Sequence, residues 1–113
     1  MPGISIHVVD VARGLVASGM KVEVLRDGRR IAAGSISAKG LLEDAALAAT
    51  LPAGYYEAVF HVADYYRSAG TTLPAAPFLD VVTYRFGIDD PRQHYHLPFK
   101  CTPWGYSCFR GGA

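Results

Sequence analysis

The sequence predicts an all-β fold, a two-sheet β-sandwich with one short helix. Seven or eight short segments have strand character, and glycine, proline and aspartate residues separate them. One short segment that ends at Gly70 is instead typical of a helix. Because each sheet has one apolar face to bury, two sheets packed face to face are the natural closure. A chain of 113 residues is expected to form a single domain over residues 1–113.

Composition restricts the classes of function. Half of the residues are hydrophobic, 19% are charged and the formal net charge is +1, which indicates neither disorder nor a broad basic surface for nucleic acid. No apolar run approaches the roughly 20 residues that a membrane span requires, and the first residues lack the pattern of a signal peptide. We therefore expect a cytoplasmic protein with a small-molecule substrate and with no nucleic-acid or membrane partner.

The first half of the chain contains three predicted strands. Residues 4–10 alternate, which places His7 off the most apolar face, and residues 12–20 are predicted to be a loop that crosses between the sheets. Residues 21–27 and 29–37 flank an Asp-Gly pair and are expected to form an antiparallel hairpin. The composition of residues 38–54 favours a helix, but glycine and proline interrupt it, and helix and strand both stay open there.

The second half is predicted to continue with strands around one helix. Residues 55–62 have the alternation of a strand, and residues 63–70 are expected to form one or two helical turns. The polar, proline-rich residues 71–77 indicate a loop. Residues 78–88 are predicted to be a long strand, and residues 89–93 are predicted to turn the chain towards its last hairpin.

Residues 94–110 are predicted to form a terminal hairpin that carries chemistry. Its strands are 94–99 and 104–110, and residues 100–103 supply the connection, with Cys101 in the turn. On a strand, alternate side chains face opposite ways, so His94 and His96 are expected on one side and the apolar residues on the other. The apolar set can therefore enter a core while both imidazoles face out of it.

Metal binding by the histidines and nucleophilic catalysis by the cysteines are two alternative chemistries. His94, His96 and His7 together offer three nitrogen ligands for zinc, but no carboxylate partner is evident, and we predict no metal and no other cofactor. Cys101 and Cys108 can face each other across the hairpin. Without an export signal both thiols are expected to be reduced, and neither has an adjacent base to make it a nucleophile.

Three stretches of sequence resemble the transthyretin-like family, and within it the 5-hydroxyisourate hydrolases of purine catabolism. They are IHVVDVARG at 6–14, FLDVVTYRF at 78–86 and HYHLPFKCTPWGYSCFRG at 94–111. The resemblance implies an eight-stranded sandwich, assembled as a homotetramer, a dimer of dimers, around a channel that holds the active sites. It also places Trp104 and Tyr106 among the aromatic residues expected at a subunit contact.

The same resemblance implies which residues act and which have changed. His7 and His96 match the two histidines that line the site of the hydrolases, and we predict that they are catalytic. The arginine of the family's Asp-Gly-Arg turn corresponds to Leu41, and in the family's terminal Tyr-Arg-Gly-Ser the tyrosine and the serine correspond to Phe109 and Gly112. These three positions, with Arg110 and His94, are the predicted substrate-binding residues.

The altered residues suggest altered chemistry. An enzyme that opens a polar purine ring needs hydrogen-bond donors, whereas two imidazoles near their ordinary pKa still supply a general acid and a general base. We therefore predict an enzyme repurposed for ring closure, ring opening or isomerisation of a less polar cyclic substrate, with Arg110 as its cationic anchor. A 5-hydroxyisourate hydrolase whose missing groups come from Lys39 or Arg13 is the second hypothesis, and a noncatalytic ligand-binding protein is the third.

Overall fold

The structure, a computed structural model, describes residues 2–112 and contains two four-stranded sheets that enclose one core. One seven-residue α-helix accompanies them, and no helix within residues 2–112 is long and apolar enough to cross a bilayer. The predicted sandwich with one short helix is therefore confirmed. The elements are β1 (Gly3–Asp10), β2 (Leu15–Val16), β3 (Lys21–Arg26), β4 (Arg29–Ser35), a 3-10 helix (Ala45–Ala48), β5 (Gly54–His61), α1 (Val62–Ser68), β6 (Val81–Ile88), β7 (His94–Thr102) and β8 (Gly105–Cys108).

The sheet topology places the first strand beside the terminal hairpin. One sheet has the order β2-β1-β7-β8 and the other the order β4-β3-β5-β6. Strands β1 and β7 pair in parallel along their length, from Gly3 opposite His94 to Asp10 opposite Cys101, while the other strand pairs are antiparallel. The first strand of the chain and the first strand of the terminal hairpin are therefore central neighbours in one sheet.

The predicted alternation of β1 and β7 is confirmed by burial. The inward residues are fully or almost fully buried, and Phe99 of β7 stacks on Phe60 of β5 across the core at a centroid separation of 3.8 Å. Ser5, His7 and the two histidines of β7 lie on the opposite face and are half-buried. The inward residues of the two strands are Ile4, Ile6 and Val8 of β1 and Tyr95, Leu97 and Phe99 of β7.

Two predictions for the first half meet different outcomes. The Asp-Gly hairpin is confirmed, since Asp27 and Gly28 have φ angles of 52° and 75°, as a turn with two left-handed residues requires. The one helical turn within residues 38–54 is the short 3-10 helix, whose first turn is capped by the Asp44 carboxylate accepting from the Ala46 amide. Leu41 forms a single β-bridge with His7, and Gly54 begins β5. The alanine-rich composition does not become an α-helix there because glycine and proline bound it closely.

The terminal hairpin is longer on its first strand than predicted. Strand β7 continues through Lys100 to Thr102, so Pro103 and Trp104 form the turn and Cys101 lies within the strand. The placement of Cys101 in the turn is therefore wrong. Its side chain is 1% exposed because it faces the core, where the phenol of Tyr66 and the carboxylate of Asp10 are its neighbours.

Candidate functional site

Four polar side chains form what we call the imidazole face: Ser5 and His7 of β1 with His94 and His96 of β7. The parallel register sets Ser5 opposite His96 and Gly3 opposite His94, with His7 one step further along β1. Because side chains of one strand alternate between faces, all four project from the outer face of the sheet. The structure thus brings together the two residues that were predicted to be catalytic.

Ser5 joins the two histidines of β7 directly. Its Oγ atom lies 2.7 Å from Nε2 of His94 and 2.6 Å from Nδ1 of His96. The Nδ1 atom of His94 lies 3.3 Å from the carbonyl oxygen of Pro2, so both nitrogens of that ring are engaged within the chain. Sequence reasoning missed Ser5, although the alternation of residues 4–10 already put it on the same side as His7.

Two glycines allow the backbone to pack directly against the rings of His7 and His96. Gly40 has a φ angle of 82°, and a Cβ atom there would lie 2.6 Å from Nε2 of His7. At Gly111 a Cβ atom would lie 2.7 Å from Cδ2 of His96, and the Gly111 amide donates to the His96 carbonyl over 2.7 Å. Each ring is therefore packed against a stretch of chain where a larger residue would displace it. The sequence carries only a weak signal of this, the glycines themselves.

The electrostatics favour a neutral His96 at neutral pH. Partial burial, followed by the charges that His7 and His94 carry when protonated, lowers the pKa of His96 below 6.5, and an interaction with the backbone of Ser5 opposes this shift. Within residues 2–112 no carboxylate hydrogen-bonds to His7, His94 or His96. A neutral imidazole with one free nitrogen can accept a proton, as a general base must.

We expect an NMR titration of the ring protons to show His96 protonating below pH 6.5. His94→Gln removes one like charge and should raise that midpoint towards 6.5, because the protonated form of His96 is then less disfavoured. His61 is the internal control, since it pairs with Glu23 over 2.9 Å on the other sheet and should not respond. A midpoint of His96 at or above 6.5, or no rise in His94→Gln, contradicts the expectation.

Leu41 lies beside His7, as the resemblance implies for the position of the family arginine. The two residues pair in an isolated antiparallel bridge, so their side chains share a face. Leu41 is half-buried and, with Ser5 and His94, lines a cavity of about 390 Å³ whose wall is mainly apolar. An apolar side chain therefore borders the imidazole face at the position where the resemblance implies a guanidinium.

The other two altered positions, Phe109 and Gly112, come after β8 in the chain. Phe109 is 47% exposed, and the ammonium of Lys100 lies 5.8 Å from its ring centroid. At Gly112 a Cβ atom would meet no other atom within 4 Å, so the position is open. Lys100 shares the face of His94 and His96 by alternation, and it is a cation near the site that sequence reasoning did not consider.

Arg110 lies on a different side of β7. Its guanidinium stacks 4.1 Å from the ring centroid of Tyr95, a core-facing residue, and donates to the side chain of Gln93 and to the His94 carbonyl. Within one chain it is thus separated from the imidazole face, and its role as an anchor stays a prediction. The sequence also allows a structural role in which Arg110 neutralises Asp10 or Asp80, but among residues 2–112 its polar contacts are with Gln93 and the His94 carbonyl and neither carboxylate pairs with it.

Asp10 is hydrogen-bonded to residues of helix α1 and not to Arg110. Asp10 is fully buried and accepts hydrogen bonds from the phenols of Tyr65 and Tyr66 at 2.8 and 2.7 Å, and from the Arg13 amide. The Arg13 side chain lies close enough to Tyr65 to lower the pKa of that phenol against a larger effect of burial. Arg13 therefore belongs to the far end of β1, away from His7, while Lys39 is exposed next to Gly40.

Neither thiol is placed to act as a nucleophile. Cys101 and Cys108 are both free, and burial raises the pKa of each to about 11. A thiol with a raised pKa is protonated at neutral pH and is a poor nucleophile. Across residues 2–112, no three metal-ligating side chains are grouped so that they could hold an ion.

The chain is similar in sequence to known proteins over almost its whole length. Residues 4–111 match the HIUase/Transthyretin family. The 5-hydroxyisourate hydrolase of Deinococcus radiodurans is 42% identical over 97% of this chain and 96% of its own, and 5-hydroxyisourate hydrolase 2 of Rhizobium meliloti is 42% identical over 93% and 92%.

Two solved structures share the fold. The 5-hydroxyisourate hydrolase of Klebsiella pneumoniae aligns with a TM-score of 0.83 and 30% identity over 99% of this chain and all of that one. A crystal structure of (S)-allantoin synthase aligns with a TM-score of 0.87 and 33% identity over 97% of this chain, but over only 43% of that longer chain. From the family match and these relatives, the chain belongs to the HIUase/Transthyretin family.

Proposed function

We propose that this protein is an enzyme that hydrolyses 5-hydroxyisourate. The observation that carries the proposal is the imidazole face, where His7 and His96 lie on adjacent strands and each ring packs against a glycine backbone. Relatives named 5-hydroxyisourate hydrolase align over almost their whole length, which supports this function over the repurposed chemistry that the sequence suggested. In this proposal the substrate is a small cyclic molecule and the assembly is a homotetramer.

The proposed roles of the two histidines follow from their surroundings. His96, with its lowered pKa, is neutral at pH 7 and takes the proton of an attacking water. His7 donates a proton to the nitrogen that leaves when the ring opens. Hydrolysis needs no further proton carrier, because the base loses its proton to solvent and the acid regains one after each turnover.

The test is the ultraviolet decay of freshly made 5-hydroxyisourate. Catalytic amounts of the protein should accelerate the decay over buffer in proportion to the protein added. Decay at the buffer rate, with a folded protein over a range of concentrations, rejects the proposal. The matched control is His96→Asn, which keeps a side-chain polar group near Ser5 but cannot act as a base.

A second candidate function is acid-base chemistry on a less polar ring. Leu41 favours it, because an alkyl side chain borders the cavity where the resemblance implies a guanidinium. Without that donor, a polar purine ring is held less firmly, whereas an apolar ring gains contact area. Slow decay of 5-hydroxyisourate together with histidine-dependent turnover of an apolar cyclic compound selects this function. A ligand that is bound but never converted, with both histidines replaceable, selects the binding protein.

A further inference from the structure

The hydrogen-bonded chain from Pro2 to His96 has only one self-consistent arrangement when both rings are neutral. The Pro2 carbonyl can only accept, so the proton of that contact sits on Nδ1 of His94. A neutral imidazole carries one proton, so Nε2 of His94 is an acceptor. Ser5 must then donate its single hydroxyl proton to that atom over 2.7 Å.

The second contact of Ser5 fixes the other histidine. With its proton directed to His94, the Ser5 oxygen can only accept from His96, so Nδ1 of His96 carries the proton over 2.6 Å. The Nε2 atom of a neutral His96 is then a bare lone pair. Within residues 2–112 that atom has no hydrogen-bond partner, which leaves it free for a substrate or a water.

We propose that Ser5 and His94 are positioning residues that hold His96 in the tautomer with its proton on Nδ1. This inference rests on the proposed function, because it explains why Nε2 of His96 is the atom that accepts a proton. It also changes the role of His94, which was predicted to bind substrate, to one exerted through Ser5. Such outer contacts typically fix ring orientation and tautomer.

The Ser5 hydroxyl links the two histidines, and substitutions at position 5 can remove it or keep it. Ser5→Ala removes both hydrogen bonds without adding volume, and Ser5→Thr keeps a hydroxyl on a residue that strands accept well. Ser35→Ala is the matched control, since Ser35 is an exposed strand residue on β4 of the other sheet.

The experiment reads the tautomer directly. In ¹⁵N-labelled protein at pH 7.5, long-range proton–nitrogen correlation should show Nδ1 of His96 protonated and Nε2 unprotonated, both in the native chain and in Ser5→Thr. In Ser5→Ala the two nitrogens should move towards the averaged shifts of an unrestrained imidazole. In the same variants kcat should fall by roughly 10- to 100-fold for Ser5→Ala, with KM little changed, and should recover in Ser5→Thr.

The spectrum and the kinetics separate the two proposals. A native His96 that is protonated on Nε2, or a Ser5→Ala spectrum that keeps the native tautomer, overturns the positioning role. The expected tautomers in a protein that leaves 5-hydroxyisourate untouched support the positioning role and reject the hydrolase. Equal loss of activity in Ser35→Ala would assign the effect to general destabilisation and also overturn the inference.

Discussion

His96→Asn and His7→Asn should each lower kcat/KM for ring hydrolysis by about 10²- to 10⁴-fold, the usual contribution of a general base or acid. Asparagine retains a polar group of similar reach, but it does not titrate near pH 7, so it can neither take nor give the proton. Both rings lie on the outer face of their sheet and not in the core. The free energy of unfolding in urea should therefore stay close to that of the native chain.

The double variant sharpens this expectation. If His7 and His96 act in one step, the two losses should fall well short of multiplying, because residues that work as a unit are not additive. His61→Asn is the matched control: it removes a histidine that pairs with Glu23 on the other sheet, and kcat/KM should not change. Native activity in either single variant would remove that histidine from the mechanism.

The predictable part of this molecule is the part that local pattern determines. Alternation along residues 4–10 and 94–99 assigned the apolar residues and the histidines of these segments to the correct faces, because a strand has a fixed period of two. The Asp-Gly hairpin was equally local. Local pattern is less informative for residues 38–54: their composition favours a helix, helix and strand both stay open, and glycine and proline limit the helical part to one 3-10 turn.

The candidate site depends on pairing that the pattern does not determine. Ser5 and His96 are in contact only because β1 and β7, which are far apart in the sequence, are parallel neighbours in one sheet. The register of these two strands decides which side chains touch. Ser5 was therefore on the correct face and still missed. Arg110 shows the reverse case, since the resemblance predicts it in the site, yet it lies beyond the end of β8 and its guanidinium stacks on Tyr95.

Restoring the polar groups that the resemblance implies should raise 5-hydroxyisourate hydrolysis. We expect the triple variant Leu41→Arg, Phe109→Tyr and Gly112→Ser to increase kcat/KM by about 10²- to 10³-fold, the usual effect of a donor at the reacting oxygen. Leu41 shares the face of His7, Phe109 is exposed, and Gly112 has open space for a side chain. An arginine at position 41 presents a planar fork of donors to the ring oxygens.

Leu41→Met is the control for this gain, because it has similar size without donors and should leave hydrolysis unchanged. Single variants then divide the effect among the three positions, and the guanidinium should contribute most since it is both charged and bidentate. A triple variant that folds as the native chain but shows no gain would mean that Lys100 or another group already supplies the lost contacts. A gain in hydrolysis, accompanied by loss of turnover on an apolar ring, would instead show that Leu41 selects the less polar substrate.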